Sequence, residues 1–328
     1  MPFFKSISLQ WAGHDKFGSG RLPSRMAKSR SSRSVQTMNR EVSKLIWACW
    51  LPIAKNAARA YVAGPELADG LGVCKELSEN GYGGTLCFWN GDGDSSRQIA
   101  DKYLAAVEAI AASRLDCQLS VKAPPIGFSS DLVMEIAARA RQLSVPMHFD
   151  SLGPEAADQT FALILKTLPI HSMLGCTLPA RWRRSLRDAD LAVDQGLKVR
   201  VVKGQWSDLE QSDIDPRDGF LAVIDRLAGR ARHVAVATHD PSLARQALGR
   251  LRAAGTSCEL ELLFGLPLKD ALCAARQEGA PVRFYVPYGH AWLPYCLSQC
   301  QQNPRIFWWV LRDLVVGHPF RPGGGSPS

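Results

Sequence analysis

Short apolar runs that are rich in β-branched residues recur along the chain between residues 84 and 286. Runs of this length, bounded by turn residues, are typical of buried β-strands. Helical apolar spacing fills the intervals, for example over Arg97–Ser113, Asp131–Leu143 and Leu243–Ala254. The predicted strands are Gly84–Phe88, Gln118–Lys122, Pro146–Asp150, Ser172–Leu178, Lys198–Lys203, His233–His239, Glu259–Phe264 and Val282–Val286.

Strand–helix units that repeat roughly every 25–35 residues predict an α/β protein with a (βα)8 barrel of the TIM type. A doubly wound open sheet is the alternative, but no GxGxxG motif follows the first strand, which favours closure. Two helical segments, Trp47–Val62 and Glu66–Glu79, precede the first strand. The strand interiors read as apolar, so polar side chains at the strand ends are expected to form a site rather than to fill the core.

The charged residues are distributed unevenly along the chain, and their positions decide whether the net charge indicates nucleic-acid binding. The 328 residues carry a net charge of +8, and 46% of them are apolar, as in a folded globular protein. Residues 1–45 hold nine basic and two acidic side chains, so the other 283 residues hold 30 basic and 29 acidic ones. A nearly neutral body argues against nucleic-acid binding, which needs a basic face on the folded part.

Residues 1–45 are rich in Ser and Arg and show no apolar periodicity. They predict a disordered basic tail, an organelle transit peptide or a wrongly assigned start, and the sequence leaves these three open. Residues 46–317 are the predicted barrel with its N-terminal helices, and residues 318–328 a disordered tail of Gly, Pro and Ser. The expected location is cytoplasmic with peripheral membrane contact, or mitochondrial if the basic segment is a transit peptide.

The nine cysteines are scattered without a CxxC pair, which is typical of reduced cytosolic thiols. Cys296 and Cys300 lie one helical turn apart, but no further ligand stands at metal spacing nearby, so no metal site is expected. No run approaches the roughly 18 uninterrupted apolar residues that a membrane-spanning helix needs.

Polar side chains lie at the C-terminal ends of the predicted strands, where barrel enzymes place their chemistry. Lys122 and Asp150 end adjacent strands and predict an ion pair, which is either functional or a structural strut. Arg200 and Lys203 are three residues apart, so they are expected to point to opposite sides of their strand. His239 is interpreted either as a satisfied structural histidine or as a donor to a cofactor. The residues at the strand ends are Cys87, Lys122, Asp150, Thr177, Arg200 with Lys203, His239, Phe264 and Tyr285.

A set of strand-end motifs appears in order between about residue 55 and residue 312. They are Leu119-Ser-Val-Lys122, Val199-Arg-Val-Val-Lys-Gly-Gln-Trp-Ser-Asp208, Ala237-Thr-His-Asp240, Glu259-Leu-Glu-Leu-Leu-Phe-Gly-Leu266 and Arg283-Phe-Tyr-Val-Pro-Tyr-Gly289, with the lead-in Ala60-Tyr-Val-Ala-Gly64. Together they resemble the proline dehydrogenase family. The resemblance implies a distorted (βα)8 barrel that binds FAD, oxidises the ring C–N bond of proline and passes electrons to a quinone.

The resemblance also assigns roles to residues of this chain. Arg200 and Lys203 are expected near the flavin ring, where positive charge stabilises the reduced anion, and Thr238 and His239 on the phosphate and ribose side of FAD. The expected catalytic residues are Lys122 and Asp150, as an ion pair below the substrate, and Tyr285 and Tyr295, as walls against its ring. The remaining expected pocket residues are Cys87, Trp206, Phe264, Ser298 and Gln299.

The chain departs from the family where relatives bind the substrate carboxylate. Ser298 and Gln299 stand in place of two adjacent arginines, and Cys87 and Gly91 in place of the acids of Leu-Asp-x-x-Gly-Glu. Gly175 or its neighbour replaces a glutamine that contacts the flavin. These changes predict a pocket rebuilt for a proline derivative or another cyclic or secondary amine, or else a non-catalytic barrel that binds a ligand or partner.

A third interpretation keeps an enzyme but dispenses with the flavin. Lys203 at a strand end would then form a Schiff base with a carbonyl substrate, as in lyases and aldolases. The surrounding motif favours the flavin-dependent amine dehydrogenase over this chemistry.

Overall fold

The computed structural model describes residues 63–91, 93–210 and 214–289, which form a closed barrel of parallel strands. The strands are β1 Gly83–Trp89, β2 Cys117–Val121, β3 Met147–Phe149, β4 Leu174–Pro179, β5 Lys198–Val202, β6 Val234–Ala237, β7 Cys258–Leu263 and β8 Val282–Gly289. Each strand pairs with the next in chain order, and β8 closes the barrel by pairing with β1. The predicted barrel is therefore confirmed, and each observed strand overlaps its predicted run.

Helices alternate with the strands. Helix α1 precedes β1, and one helix lies between each pair of successive strands. The helices are α1 Leu67–Glu79, α2 Ser96–Ser113, α3 Ser130–Gln142, α4 Ala157–Thr167, α5 Ser185–Asp194, α6 Pro216–Leu227, α7 Pro241–Ala253 and α8 Lys269–Gln277, and short 3-10 turns cover Pro124–Ile126 and Pro154–Ala156. The helical segments predicted between strands are thus confirmed to within about two residues at their ends.

The start of α7 fixes the rim of the barrel after β6. Asp240 caps this helix, since its carboxylate accepts hydrogen bonds from the backbone N–H groups of Ser242 at 3.0 Å and Leu243 at 3.1 Å. These N–H groups have no partner within the helix, so a side-chain acceptor stabilises the helix end. The two residues between β6 and the cap are consequently held at a defined place on the rim.

The hydrophobic core lies between the strands and the surrounding helices. Leu86 of β1, Leu119 of β2 and Val201 of β5 are fully buried and belong to one cluster with helix residues such as Ile136 and Leu248. Burial of these apolar side chains supplies the main favourable term for folding of the barrel.

The barrel lumen is polar, which corrects the expectation of apolar strand interiors. Thr85 of β1 donates a hydrogen bond to Glu261 of β7 at 2.9 Å, and Gln118 of β2 donates to Thr85 at 3.0 Å. Arg200 of β5 donates across the lumen to Asp150, which directly follows β3, at 2.8 Å. Because alternate residues of a barrel strand face opposite sides, only the outer set packs beneath the helices. The inner set forms a hydrogen-bonded layer that leads up to the strand ends.

Among the described residues, no helix is long and apolar enough to cross a membrane, and no group of three or more His, Cys, Asp or Glu could hold a metal ion. The described cysteines are free thiols, buried except for Cys273. Residues 1–62 and 290–328 lie outside the described residues. The predictions for the tails over 1–45 and 318–328 and for a helix over 47–62 therefore stay predictions.

Candidate active site

Asp150, directly after β3, is the centre of a hydrogen-bonded network at the C-terminal end of the barrel. Its Oδ1 accepts from Ser120 Oγ at 2.6 Å and from Arg200 Nη1 at 2.8 Å, and its Oδ2 accepts from the Tyr285 hydroxyl at 2.6 Å. Lys122 Nζ lies 3.6 Å from Oδ2. Burial alone would raise the pKa of Asp150, but the charges of Lys122 and Arg200 lower it to about 2. The carboxylate is therefore ionised at neutral pH.

Arg200 is buried and paired with two carboxylates. Besides Asp150, it contacts Glu261 of β7 through two parallel hydrogen bonds, Nε to Oε2 at 2.7 Å and Nη2 to Oε1 at 2.8 Å. Such bidentate pairs are strong and fix the plane of the guanidinium group. The guanidinium carbon lies 5.2 Å from the centre of the Tyr285 ring. The positive charge expected from Arg200 is thus compensated within the protein.

Lys122 and Cys87 meet beside Asp150. Lys122 Nζ lies 2.6 Å from Cys87 Sγ and 3.2 Å from the Phe88 carbonyl oxygen, and the Tyr285 hydroxyl lies 2.7 Å from the same sulfur. Burial raises the pKa of the Cys87 thiol, which remains protonated. Burial would lower the pKa of Lys122, but the charge of Asp150 and the hydrogen bond to Cys87 more than offset this and raise it. The predicted Lys122–Asp150 pair is present, with the thiol as its third member.

A cavity of about 730 Å³ opens above this network. Its walls include apolar side chains at the ends of β5, β6 and β7, and its floor contains Lys122, Asp150, Arg200 and Tyr285. Pockets of this size are typical of cofactor and small-molecule sites. Its other described lining residues are Ser151, Leu152, Thr177, Pro179, Arg181, Val202, Lys203, Gly204, Gln205, Trp206, Pro216, Ala237, Thr238, His239, Glu261, Leu262 and Leu263.

Lys203 and His239 both lie at the rim of the cavity, but they differ in how firmly their side chains are held. The Lys203 side chain is 46% exposed, and its Nζ lies 3.7 Å from Asp240, so it diverges from the buried Arg200. His239 Nδ1 lies 3.2 Å from the Pro267 carbonyl oxygen, and its Nε2 accepts a hydrogen bond from the Leu263 N–H at 2.9 Å. Burial lowers the pKa of His239 to about 4. In this arrangement both ring nitrogens of the neutral histidine bond to backbone.

The structure brings the other expected residues to different places. Thr238 is buried at the rim and accepts a hydrogen bond from the Asp240 N–H, and Trp206 is 40% exposed in the loop after β5. Phe264 packs against the hydrophobic core. The expected residues Tyr295, Ser298 and Gln299 lie outside the described residues.

Gly175 of β4 is packed against a histidine that the sequence analysis did not single out. A Cβ at this glycine would overlap the His148 ring, with Cε1 at 2.9 Å, and would lie 3.0 Å from the Lys198 carbonyl oxygen. His148 Nε2 lies 3.0 Å from Thr177 Oγ1, and burial lowers the pKa of the ring well below its ordinary value. A neutral imidazole thus fills the space beside the glycine.

Glu261 and Ser120 are site residues that were not predicted from the sequence. The signal for Glu261 is the Glu-Leu-Glu-Leu alternation over residues 259–262, because acids two positions apart on a strand face the same side of the sheet, opposite to the leucines. Ser120 carries no comparable signal, since a serine inside an apolar run is common.

Proteins named proline dehydrogenase are similar to this chain over most of its length. Proline dehydrogenase 1 of Bacillus subtilis subsp. natto is 26% identical over 275 residues, which cover 79% of this chain and 90% of the relative. The proline dehydrogenase of Deinococcus radiodurans is 24% identical over 286 residues, covering 80% and 91% of the two chains. No protein-family model matches the chain.

The fold is shared with proline utilization A. The crystal structure of that protein from Bdellovibrio bacteriovorus, inactivated by N-propargylglycine, superposes with a TM-score of 0.66 at 14% identity. The match covers 87% of this chain but 37% of the larger protein. These comparisons confirm the resemblance to the proline dehydrogenases and support a proline dehydrogenase-like enzyme.

Proposed function

We propose that this protein is an FAD-dependent oxidoreductase of the proline dehydrogenase type, which oxidises a C–N bond of proline or of a proline-like cyclic or secondary amine. The observation that carries the proposal is the network at the cavity floor, where Lys122, Asp150, Arg200 and Tyr285 from separate strands meet. Similarity to proteins named proline dehydrogenase supports the substrate class. The proposed electron acceptor is a quinone.

The residues around the cavity fit a flavin dinucleotide. The volume of about 730 Å³ suits a cofactor, the walls near β5 and β7 are largely apolar, and cations stand at the rim. Lys203 and Thr238 would hold the cofactor at the rim, and Arg200 would stand near its ring. When bound, FAD supplies the acceptor for the hydride that leaves the substrate carbon.

The floor residues position and stabilise rather than exchange protons. Asp150 is ionised and already accepts hydrogen bonds from Ser120, Arg200 and Tyr285, so it does not act as a general base. Its role is to orient the Tyr285 ring and to hold Lys122 protonated at the floor. The amine proton leaves to water, and the substrate reacts as the neutral amine.

Packing of the altered positions supports a rebuilt pocket over a decayed one. Gly175 is covered by the His148 ring, and the Cys87 thiol is within contact distance of Lys122 and Tyr285. Decay would leave vacancies or unpaired polar groups at such positions, which are costly in a buried lumen. At these two positions the replacements are integrated into the surrounding network.

The test is anaerobic titration of the purified, FAD-loaded protein with proline, prolinamide, pyrrolidine and a polyamine. We expect yellow protein whose flavin absorption is bleached by at least one cyclic amine, and an Asp150→Asn variant that binds FAD but is bleached far more slowly. Colourless protein that takes up no added FAD would refute the proposal and favour the non-catalytic barrel. Trapping of a carbonyl substrate on Lys203 by borohydride would instead support the Schiff-base interpretation.

A further inference from the structure

The cavity carries more positive than negative charge, and the excess lies at its rim. Among the described lining residues, the floor cations Lys122 and Arg200 are matched by Asp150 and Glu261. The other two lining cations are Lys203 and Arg181, and Arg181 makes no ion pair with any described residue. The rim between β4 and β5 is therefore where a ligand anion would find an uncompensated cation.

Lys203 reinforces this imbalance. The carboxylate nearest to it is that of Asp240 at 3.7 Å, and Arg217 contacts the same carboxylate oxygen at 2.9 Å. One carboxylate thus serves two cations. The positive charge of Lys203 also reaches into the cavity, because it contributes to lowering the pKa of His239.

The position of Arg181 is set by contacts between the loops that follow β4 and β5. Gly204 has φ +88, and a Cβ on it would lie 3.0 Å from Pro179 Cβ and 3.6 Å from Arg181 Cβ, so a glycine lets the two loops approach closely. The Trp182 indole N–H donates to the Trp206 carbonyl oxygen at 3.0 Å. The backbone next to Arg181 is therefore fixed on the side of the cavity that also holds Lys203.

We infer that Arg181 is an oxyanion-binding residue of this cavity, which takes over charge recognition that Ser298 and Gln299 do not supply. A guanidinium group offers two parallel N–H donors that match a carboxylate or a phosphate. The oxyanion is therefore the carboxylate of an amino-acid substrate or a phosphate of the dinucleotide. The identity of the ligand rests on the proposed function, whereas the anion site itself rests on the lining charges.

The experiment compares Arg181→Gln with Arg183→Gln in the full-length protein. Arg183 is the matched control, because it lies in the same loop, is exposed and is absent from the described cavity lining. Binding of inorganic pyrophosphate, FAD and riboflavin to flavin-free protein is measured by calorimetry. The KM for proline and for pyrrolidine, which lacks a carboxylate, is measured on the FAD-loaded protein.

Loss of a charge-assisted hydrogen-bonded pair predicts a roughly 10–100-fold effect in Arg181→Gln and less than about a twofold effect in Arg183→Gln. If the anion is a phosphate, pyrophosphate and FAD bind more weakly while riboflavin is unaffected. If it is the substrate carboxylate, the KM rises for proline but not for pyrrolidine. Equal behaviour of the two variants in every assay overturns the inference. Weaker binding of pyrophosphate and FAD by Arg181→Gln, together with no flavin reduction by any amine in the unmodified protein, would refute the proposed function while supporting the anion site.

Discussion

The floor and the rim of the cavity hold charge in opposite ways. At the floor, Arg200, Asp150 and Glu261 are almost completely buried, and each of these three charges has a partner within 2.8 Å. Lys122, with a side chain 14% exposed, lies 3.6 Å from Asp150. At the rim, Lys203 is about half exposed and 3.7 Å from its nearest carboxylate, and Arg181 has none among the described residues. Burial forces compensation at the floor, whereas water tolerates an unpaired cation at the rim.

This difference separates two roles, orientation of a substrate and binding of a ligand, that the family resemblance alone does not distinguish. A compensated, rigid floor gives fixed geometry and a fixed field, which suits orientation of a substrate. A rim cation without a close carboxylate can pair with an anionic group of a ligand. The resemblance places both Arg200 and Lys203 near a flavin. Arg200 is buried between two carboxylates, whereas the Lys203 side chain is 46% exposed.

The largest expected effect is on stability, from Arg200→Met. This change leaves Glu261 buried without its cation and leaves Asp150 with Lys122 alone, so we expect a loss of about 3–5 kcal/mol in the free energy of unfolding. The rim control is Arg217→Met, whose side chain is 39% exposed and pairs with Asp240, and which should cost less than about 1 kcal/mol. Chemical denaturation measures both, and similar losses in the two variants would erase the distinction between floor and rim.

A second effect is the dependence of stability on pH. The folded pKa of Asp150 is lowered from 3.8 to about 2, so the folded state binds this proton less readily than the unfolded chain. The contribution of Asp150 to the free energy of unfolding is present above about pH 4 and is lost as the pH falls from about 4 to about 2. The size is about 2 kcal/mol.

The comparison is made with Asp150→Asn, which cannot titrate at this position. Unfolding is followed from pH 5 to pH 2, and the slope of stability against pH is compared rather than its absolute value. Glu259, whose pKa is also lowered to about 2, contributes equally to both proteins. Identical slopes would show that Asp150 is not held ionised by the floor cations.

A third prediction tests whether the lumen below the floor is packed as a unit. Gly175→Ala should cost about 1–3 kcal/mol, because the new methyl group overlaps the His148 ring. In the double variant with His148→Ala the ring is gone and the contact with the Lys198 carbonyl oxygen remains, so the added methyl group should cost less than it does beside the ring. Additive losses in the denaturation midpoints would mean that the glycine and the histidine are independent, which would weaken the case for a rebuilt pocket.

The barrel could be predicted from the sequence because strand periodicity is local. Each strand from β1 to β8 was found within a few residues, since burial under helices imposes apolar runs of limited length. The Lys122–Asp150 pair was also predictable, because adjacent parallel strands end side by side.

The floor network was not predictable, because it depends on which residues meet across the lumen. Glu261 and Arg200 are 61 positions apart in sequence, and their strands β7 and β5 are not neighbours. No local sequence pattern predicts that a particular arginine will pair with buried carboxylates. The pairing of Arg200 with Asp150 and Glu261 was therefore not predicted. The placement of Arg181 at the rim depends on a loop contact at Gly204 that no motif describes.

The smallest effect on stability is expected from Lys203→Gln, and it sharpens the comparison most. Exposed ion pairs contribute little, so the free energy of unfolding should change by less than about 0.5 kcal/mol. Affinity for FAD, followed by quenching of flavin fluorescence, should nevertheless fall several-fold, and the difference from the unmodified protein should shrink as salt screens the charge. Lys269→Gln is the control, because Lys269 is exposed at the start of α8 and absent from the described cavity lining. If Lys203→Gln and Lys269→Gln bind FAD equally well, the rim cations do not recognise the cofactor, and the free charge at Arg181 would have to serve the substrate alone.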